Sequence, residues 1–143
     1  MTRIDFHVLP EDSENGIALT ACQLCEKAVA EGKRVHIHAP TQAAEVDKLL
    51  WTFRQGSFIA HERLGASTEE PRPSVLIGDG EPLASHHDVL INLDAEVPGF
   101  FSRFERVLEI VHGDAASRAK SRERFKFYRD RGYALETHKL TTP

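Results

Sequence analysis

The chain is poor in sulfur and has no long apolar run. Its 143 residues include two cysteines, one methionine and one tryptophan. Cys22 and Cys25 lie three positions apart in a predicted helix, so they cannot form a disulfide framework, and a reducing compartment is favoured. No apolar run approaches the roughly 18 residues that cross a bilayer, and the first residues, MTRIDFHVLPED, lack the apolar core of a signal peptide. We therefore expect a cytoplasmic protein that does not associate with membranes.

The glycine motifs of nucleotide-binding proteins are also missing. The segment after the first predicted strand reads PEDSENG (10–16) and contains neither G-x-G-x-x-G nor G-x-x-x-x-G-K-[ST]. Its three acidic residues would repel phosphate. Gly78 and Gly80 form a bare G-x-G that is more typical of a turn. The sequence therefore predicts no nucleotide cofactor.

No arrangement of cysteines or histidines predicts an active site. Redox-active C-x-x-C pairs lie at a helix N-terminus, where the dipole lowers the thiol pKa, whereas Cys22 and Cys25 fall in mid-helix and suit core packing. His36 and His38 share a strand face, and His86–His87 are adjacent, but no H-E-x-x-H spacing accompanies them. The chain also lacks the G-x-S-x-G of serine hydrolases. We expect no metal, no cofactor and no catalytic residue.

The pattern of apolar residues predicts a three-layer, Rossmann-like α/β domain with a mostly parallel sheet. Residues 74–78 and 88–93 are near-continuous apolar runs, as in strands that are covered on both faces. Helical periodicity alternates with these strands, which is typical of parallel α/β folds. The predicted strands are 3–9, 34–39, 57–61, 74–78 and 88–93, and the predicted helices are 15–31, 41–53, 98–111 and 116–131.

Two of these helices begin with residues that favour the start of a helix. Thr41 is predicted to cap the helix that ends near Phe53. Pro98 is expected to open a helix that continues to Val111, because proline is favoured in the first turn. In that helix the residues Phe101, Phe104, Leu108 and Val111 would face the core.

The last predicted helix carries a charge opposite to that of the remaining chain. Residues 118–143 have a net charge of +5 and residues 1–117 a net charge of −9, within an overall −4. Five side chains of the helix fall within roughly a 100° arc. They are Arg118, Arg122, Phe125, Lys126 and Arg129.

This arc predicts a binding site for a short anionic ligand that has an apolar part. A dedicated nucleic-acid binder tends to be basic over its whole domain, whereas this chain is acidic overall and would repel a long polyanion. The alternative is a solvated helix face of alternating charge. Lys120, Arg124 and Arg131 lie off the arc and are expected to be ordinary solvated charges.

The single tryptophan lies away from the apolar stripe of its helix. Trp51 points about 140° from Val46, which is on that stripe. Either the sheet or a loop covers Trp51, or it joins Phe58 in an exposed apolar patch for another protein.

Several segments resemble one protein family. They are GKRVHIH (32–38), LLWTF (49–53), SFIAH (57–61), DVLIN (88–92), FSRFERVLEIV (101–111) and RERFKFYRDRGYALETHK (122–139). Together they resemble the chi subunit of the bacterial DNA polymerase III holoenzyme. The resemblance implies a single chi-like domain over residues 1–143 and a non-enzymatic accessory subunit of the clamp-loader assembly.

The resemblance also implies two protein partners. Chi subunits form a heterodimer with the psi subunit, and Trp51 and Phe58 match the region that binds it. Chi subunits also bind the C-terminal peptide of single-stranded DNA-binding protein, which is acidic and ends in an aromatic residue, and so associate indirectly with single-stranded DNA. The family positions for that peptide fall on the five residues of the arc. The alternatives are a module that binds single-stranded nucleic acid directly and a divergent nucleotide- or metal-dependent α/β enzyme.

Overall fold

A sheet of seven parallel strands spans the protein in the computed structural model, which describes residues 1–10 and 16–140. In chain order the elements are β1 (Arg3–Val8), α1 (Ile17–Ala30), β2 (Val35–His38), α2 (Ala43–Thr52), β3 (His61–Arg63), β4 (Val75–Gly78), β5 (Val89–Asn92), a 3-10 helix (Phe101–Arg103), β6 (Arg106–Val111), α3 (Ala115–Asp130) and β7 (Ala134–Lys139). Across the sheet the strand order is β3-β4-β2-β5-β6-β1-β7. This architecture confirms the predicted α/β class and parallel sheet.

The sheet has an apolar core on each face, because its central strands bury side chains in both directions. One core joins α1 and α2 to the sheet, and the other joins α3 and the 3-10 helix to it. In β6, Leu108 belongs to the first core and Val107 to the second. Cys22 and Cys25 are free thiols buried in the first core, as core packing requires, and burial raises the pKa of the Cys22 thiol to about 12.

The predicted helix from Pro98 to Val111 is wrong. Only the 3-10 turn Phe101–Arg103 forms there, and Arg106–Val111 is the strand β6 between β5 and β1. Apolar residues at a helical spacing also fit a strand whose two faces are both buried. β6 is such a strand, and its β-branched valines and isoleucine suit the pleated backbone.

Smaller differences concern the ends of elements. Helix α2 begins at Ala43, with Gln42 as the capping residue, so that Thr41 lies outside the helix and does not cap it. The strand expected at 57–61 is instead β3, at His61–Arg63. The tail forms the edge strand β7 beside β1. Most of the acidic segment after β1, residues 11–15, lies outside the described residues.

A buried ion pair joins α3 to the sheet and corrects the expectation that Arg124 is solvated. Glu109 on β6 is fully buried, and Arg124 Nε donates a hydrogen bond to its carboxylate at 2.9 Å. The Tyr128 hydroxyl donates to the same carboxylate at 2.6 Å, and the Asn92 amide donates at 3.0 Å. Arg124 also donates to the carbonyl of Ala95 at 3.0 Å. Because Arg124 and Tyr128 lie one turn apart, this network fixes the rotation of α3 about its axis.

We expect Arg124→Met to lower the free energy of unfolding by roughly 3–5 kcal/mol, because it leaves the Glu109 carboxylate buried without its cation. A second change, Glu109→Leu, made together with Arg124→Met should recover part of that loss. Urea denaturation measures both effects. Lys120→Met is the matched control on the exposed side of α3 and should change stability by no more than about 0.5 kcal/mol. An Arg124→Met variant as stable as this control would contradict the assignment.

His36 is a second polar group in the interior. It is fully buried on β2 with neither ring nitrogen hydrogen-bonded within residues 1–10 and 16–140. Its ring meets Phe100 edge to face at 5.8 Å between centroids. Burial in this apolar setting lowers the pKa of His36 to about 4, so the ring is neutral at physiological pH.

The pKa of His36 predicts acid sensitivity. Between its folded pKa of about 4 and its unfolded value of about 6.5, the unfolded chain binds more protons, so stability falls as the pH is lowered through this window. The contribution is up to about 1.4 kcal/mol per pH unit. We expect His36→Leu to lose less stability than the wild type between pH 6.5 and pH 5 in urea denaturation. Equal losses in the two proteins would show that His36 does not carry the effect.

Candidate functional site

Helix α3 confirms the predicted basic helix to within one residue at each end. Asp114 caps its N-terminus by accepting a hydrogen bond from the backbone N–H of Ser117 at 2.8 Å, and this bond lowers the pKa of the Asp114 carboxyl. The helix ends before Gly132, whose φ of +81° is the left-handed conformation that glycine adopts readily. The chain then enters β7 at the neighbouring edge of the sheet.

The five residues of the predicted arc lie along one flank of α3. Arg122, Lys126 and Arg129 are exposed, whereas Arg118 is partly buried. Phe125 is half-buried rather than the freely exposed ring that its place among cations suggests. Its ring packs against Phe6 of β1, with 5.4 Å between centroids, so only part of the ring remains available to a ligand.

The charges on this flank are largely uncompensated. Arg118, Arg122 and Lys126 make no ion pair with any carboxylate in the described part of the chain, and the exposed Arg129 contacts only its neighbour Asp130, at 3.4 Å. Residues three or four positions apart are neighbours on a helix surface, so Arg122 and Arg129 flank Phe125. The flank can therefore bind carboxylates and an apolar group side by side.

The opposite flank of α3 has the same sign of charge but different contacts. Lys120 lies 3.5 Å from Glu96 and 3.6 Å from Glu123. The Arg131 guanidinium lies over the ring of Phe127, 3.6 Å from its centroid. Lys120 therefore has carboxylate partners, and Arg131 makes a cation–π contact. Both lie away from the arc, but neither is the purely solvated charge that was expected.

The structure adds one cation to which the sequence assigned no role. Lys139 of β7 is paired in register with Val8, which packs in the core beneath α3. Paired residues of neighbouring strands face the same side of a sheet, so Lys139 lies on the α3 side, and it is exposed. The alternation of side chains along the tail could have indicated Lys139. It assigns Lys139 to one face of the sheet only when the register of β7 with β1 is known.

Trp51 and Phe58 are both exposed, which resolves the alternatives left open for the tryptophan. Their exposed fractions are 65% and 92%, and apart from Met1 they are the large apolar residues exposed within residues 1–10 and 16–140. The Trp51 ring packs on His61, with 4.5 Å between centroids. Nδ1 of His61 lies 2.7 Å from the carbonyl oxygen of Ile59, and this hydrogen bond fixes the ring on which Trp51 packs. Two large apolar side chains, one at the end of α2 and one before β3, are thus exposed.

No helix within the described ranges is both long and apolar enough to cross a membrane.

A family profile and several sequence relatives indicate the same family for this chain. Residues 1–136 match the family profile described as DNA polymerase III chi subunit, HolC. The chain is 42% identical over 142 residues to DNA polymerase III subunit chi of Pseudomonas aeruginosa, covering 98% of each chain. It is 31% identical over 137 residues to the chi subunit of Haemophilus influenzae, covering 94% of this chain and 95% of the relative. The chi subunit of Escherichia coli is 27% identical over 143 residues, with 96% and 97% covered.

One solved structure has a similar fold. The T4 protein UvsW superposes with a TM-score of 0.65 at 7% sequence identity. The superposition covers 97% of this chain but 41% of UvsW, so the likeness concerns the fold alone. The profile match over residues 1–136 and the 42% identity over nearly the whole chain together establish that the protein belongs to the DNA polymerase III chi subunit family.

Proposed function

We propose that the protein is a non-catalytic accessory subunit of the clamp-loader assembly of DNA polymerase III and acts in the cytoplasm. In this proposal it links the psi subunit to single-stranded DNA-binding protein by holding the acidic C-terminal peptide of the latter. The observation that supports it best is the flank of α3, where largely uncompensated cations share one helix face with a half-buried aromatic ring.

The chemistry of this flank matches the chemistry of the peptide. Guanidinium groups bind carboxylates through paired, charge-assisted hydrogen bonds, so Arg118 and Arg122 suit the terminal carboxylate and the acidic side chains. The terminal aromatic ring of the peptide would pack on the exposed part of Phe125. The aliphatic stems of Lys126 and Arg129 would complete its apolar slot. Lys139 adds a positive charge on the same side of the sheet.

The expected affinity is micromolar. Each partly exposed ion pair contributes up to about 1 kcal/mol, and burial of one aromatic ring contributes about 2 kcal/mol. A few such contacts, offset by the ordering of the peptide, do not reach nanomolar affinity. Several peptides on one coated DNA strand would raise the effective affinity through multivalency.

The patch at Trp51 and Phe58 is the proposed contact with the psi subunit. Aromatic residues are enriched where proteins bind each other, and these two rings expose most of their surface. The basic flank of α3 and this patch would then hold different partners.

We expect Arg122→Ala and Phe125→Ala each to weaken peptide binding by about fivefold or more, because each removes a direct contact with the ligand. Fluorescence anisotropy with a labelled acidic peptide that ends in phenylalanine measures the dissociation constant. Circular dichroism establishes that each variant is folded, which matters most for Phe125 because part of its ring is in the core.

Lys120→Ala is the matched control, since it removes the same charge as Arg122→Ala from the other flank of the same helix. It should bind the peptide as the wild type does. Added salt should weaken wild-type binding. Unchanged affinity in both Arg122→Ala and Phe125→Ala would reject the site, and tight binding of the protein alone to a single-stranded oligonucleotide would favour a direct nucleic-acid module.

We expect the double variant Trp51→Ala/Phe58→Ala to lose capture of the psi subunit while it keeps the affinity of the peptide. The exposure of both rings predicts little change in stability. A pull-down with purified psi subunit measures the first property, and the anisotropy assay measures the second. Retained psi binding would place that interface elsewhere, whereas loss of peptide binding as well would show that the two surfaces are not separate.

A further inference from the structure

Four side chains of types that can ligate metals lie next to one another, as a square of two neighbouring register pairs, on the sheet face opposite α3. Asp5 and His7 lie two residues apart on β1, and Glu136 and His138 lie two residues apart on β7. The parallel register pairs Asp5 with Glu136 and His7 with His138. Since Phe6, between the two β1 residues, packs beneath α3, alternation places all four on the other face.

Three ligand atoms of this square are already close together. His138 Nε2 lies 2.9 Å from Asp5 Oδ1 and 3.6 Å from Glu136 Oε2. All three atoms lie within 4.8 Å of one another. Ligands about 2.0–2.2 Å from a tetrahedral zinc ion are roughly 3.3–3.5 Å apart, so small side-chain movements would bring the three atoms to metal-binding distances.

The buried carboxylate of Asp5 is oriented for such a role. Its Oδ2 atom is held by Arg106 Nε at 2.9 Å and faces Arg3 Nε at 3.5 Å, while Oδ1 points to His138. One carboxylate oxygen is therefore fixed by the guanidinium groups, and the other is turned toward the cluster.

His7 supplies an independent sign that this face is built to hold a ligand. It is only 8% exposed, yet neither of its ring nitrogens has a hydrogen-bond partner within residues 1–10 and 16–140. Its ring stacks on that of His138, with 4.8 Å between centroids. Both nitrogens of this buried ring are therefore available to a ligand beside the cluster.

We propose that Asp5, Glu136 and His138 form a binding site for a divalent transition-metal cation, with Zn²⁺ the best match. Two carboxylate oxygens and one imidazole nitrogen suit zinc better than magnesium or calcium, which prefer all-oxygen sites. A water molecule would occupy the fourth position and hydrogen-bond to His7. The positive charges of Arg3 and Arg106 beside Asp5 oppose the bound cation, so we expect weaker binding than at a structural zinc site.

Binding at this site would join the edge strand β7 to β1 through side chains. The strand β7 immediately follows α3, so the metal would stabilise the end of the chain that carries the candidate peptide site. The proposal stands independently of the peptide, because the two sites are on opposite faces of the sheet.

The test is isothermal titration of ZnCl₂ into the whole protein after chelator treatment. We expect one site per chain in the wild type and at least about tenfold weaker binding in both Glu136→Gln and His138→Gln. Glu136 is exposed and His138 lies partly at the surface, so both variants should fold, which circular dichroism checks. Zn²⁺ should also raise the Tm of the wild type but not that of His138→Gln.

The matched control is His112→Gln. His112 lies 3.0 Å from Asp114 and so forms another histidine–carboxylate pair at the surface, but it is not part of the three-residue cluster. This control should bind Zn²⁺ as the wild type does. Wild-type affinity in His138→Gln, or loss of the site in His112→Gln, would overturn the proposal, as would the absence of saturable binding by the wild type.

Discussion

The arrangement of the candidate peptide site depends on one buried carboxylate. Glu109 is fully buried on β6 and cannot be left without partners, because a buried charge is costly unless it is paired and hydrogen-bonded. Arg124 and Tyr128 supply the cation and a hydroxyl from successive turns of α3. Their contacts determine which side of α3 faces the sheet. Every other side chain of the helix takes its direction from that constraint.

Because these contacts fix the rotation of α3 about its axis, the two flanks of the helix have different surroundings. On one side, Arg122 stands without a carboxylate partner in the described chain, and Phe125 rests its ring on β1 while leaving part of it at the surface. On the other side, Lys120 meets glutamates and Arg131 covers an aromatic ring. Six basic residues lie within α3, and among the described residues the cations on one flank are largely without carboxylate partners, whereas those on the other flank have partners.

The sequence predicted helix α3 and the strands β1, β2, β4 and β5, but not the interior strand β6. Helix α3 was predictable because its charge pattern and its terminal glycine are local signals. Strand β6 was not, because residues buried on both faces of a strand repeat at intervals that a helix also shows. The burial of Arg124 could not be foreseen either, since its partner Glu109 lies on that misassigned strand. The cluster around Asp5 was missed because D-x-H and E-x-H acquire meaning only through the register of β1 with β7.

The proposed function requires the acidic peptide to bind the Arg122 flank of α3 and not the Lys120 flank. Nuclear magnetic resonance titration of the isotopically labelled protein with an unlabelled peptide tests it most directly. We expect the amide and side-chain signals of Arg118, Arg122, Phe125 and Lys126 to move with peptide concentration while those of Lys120 stay in place. Shifts confined to Lys120 and its side of the helix would contradict it.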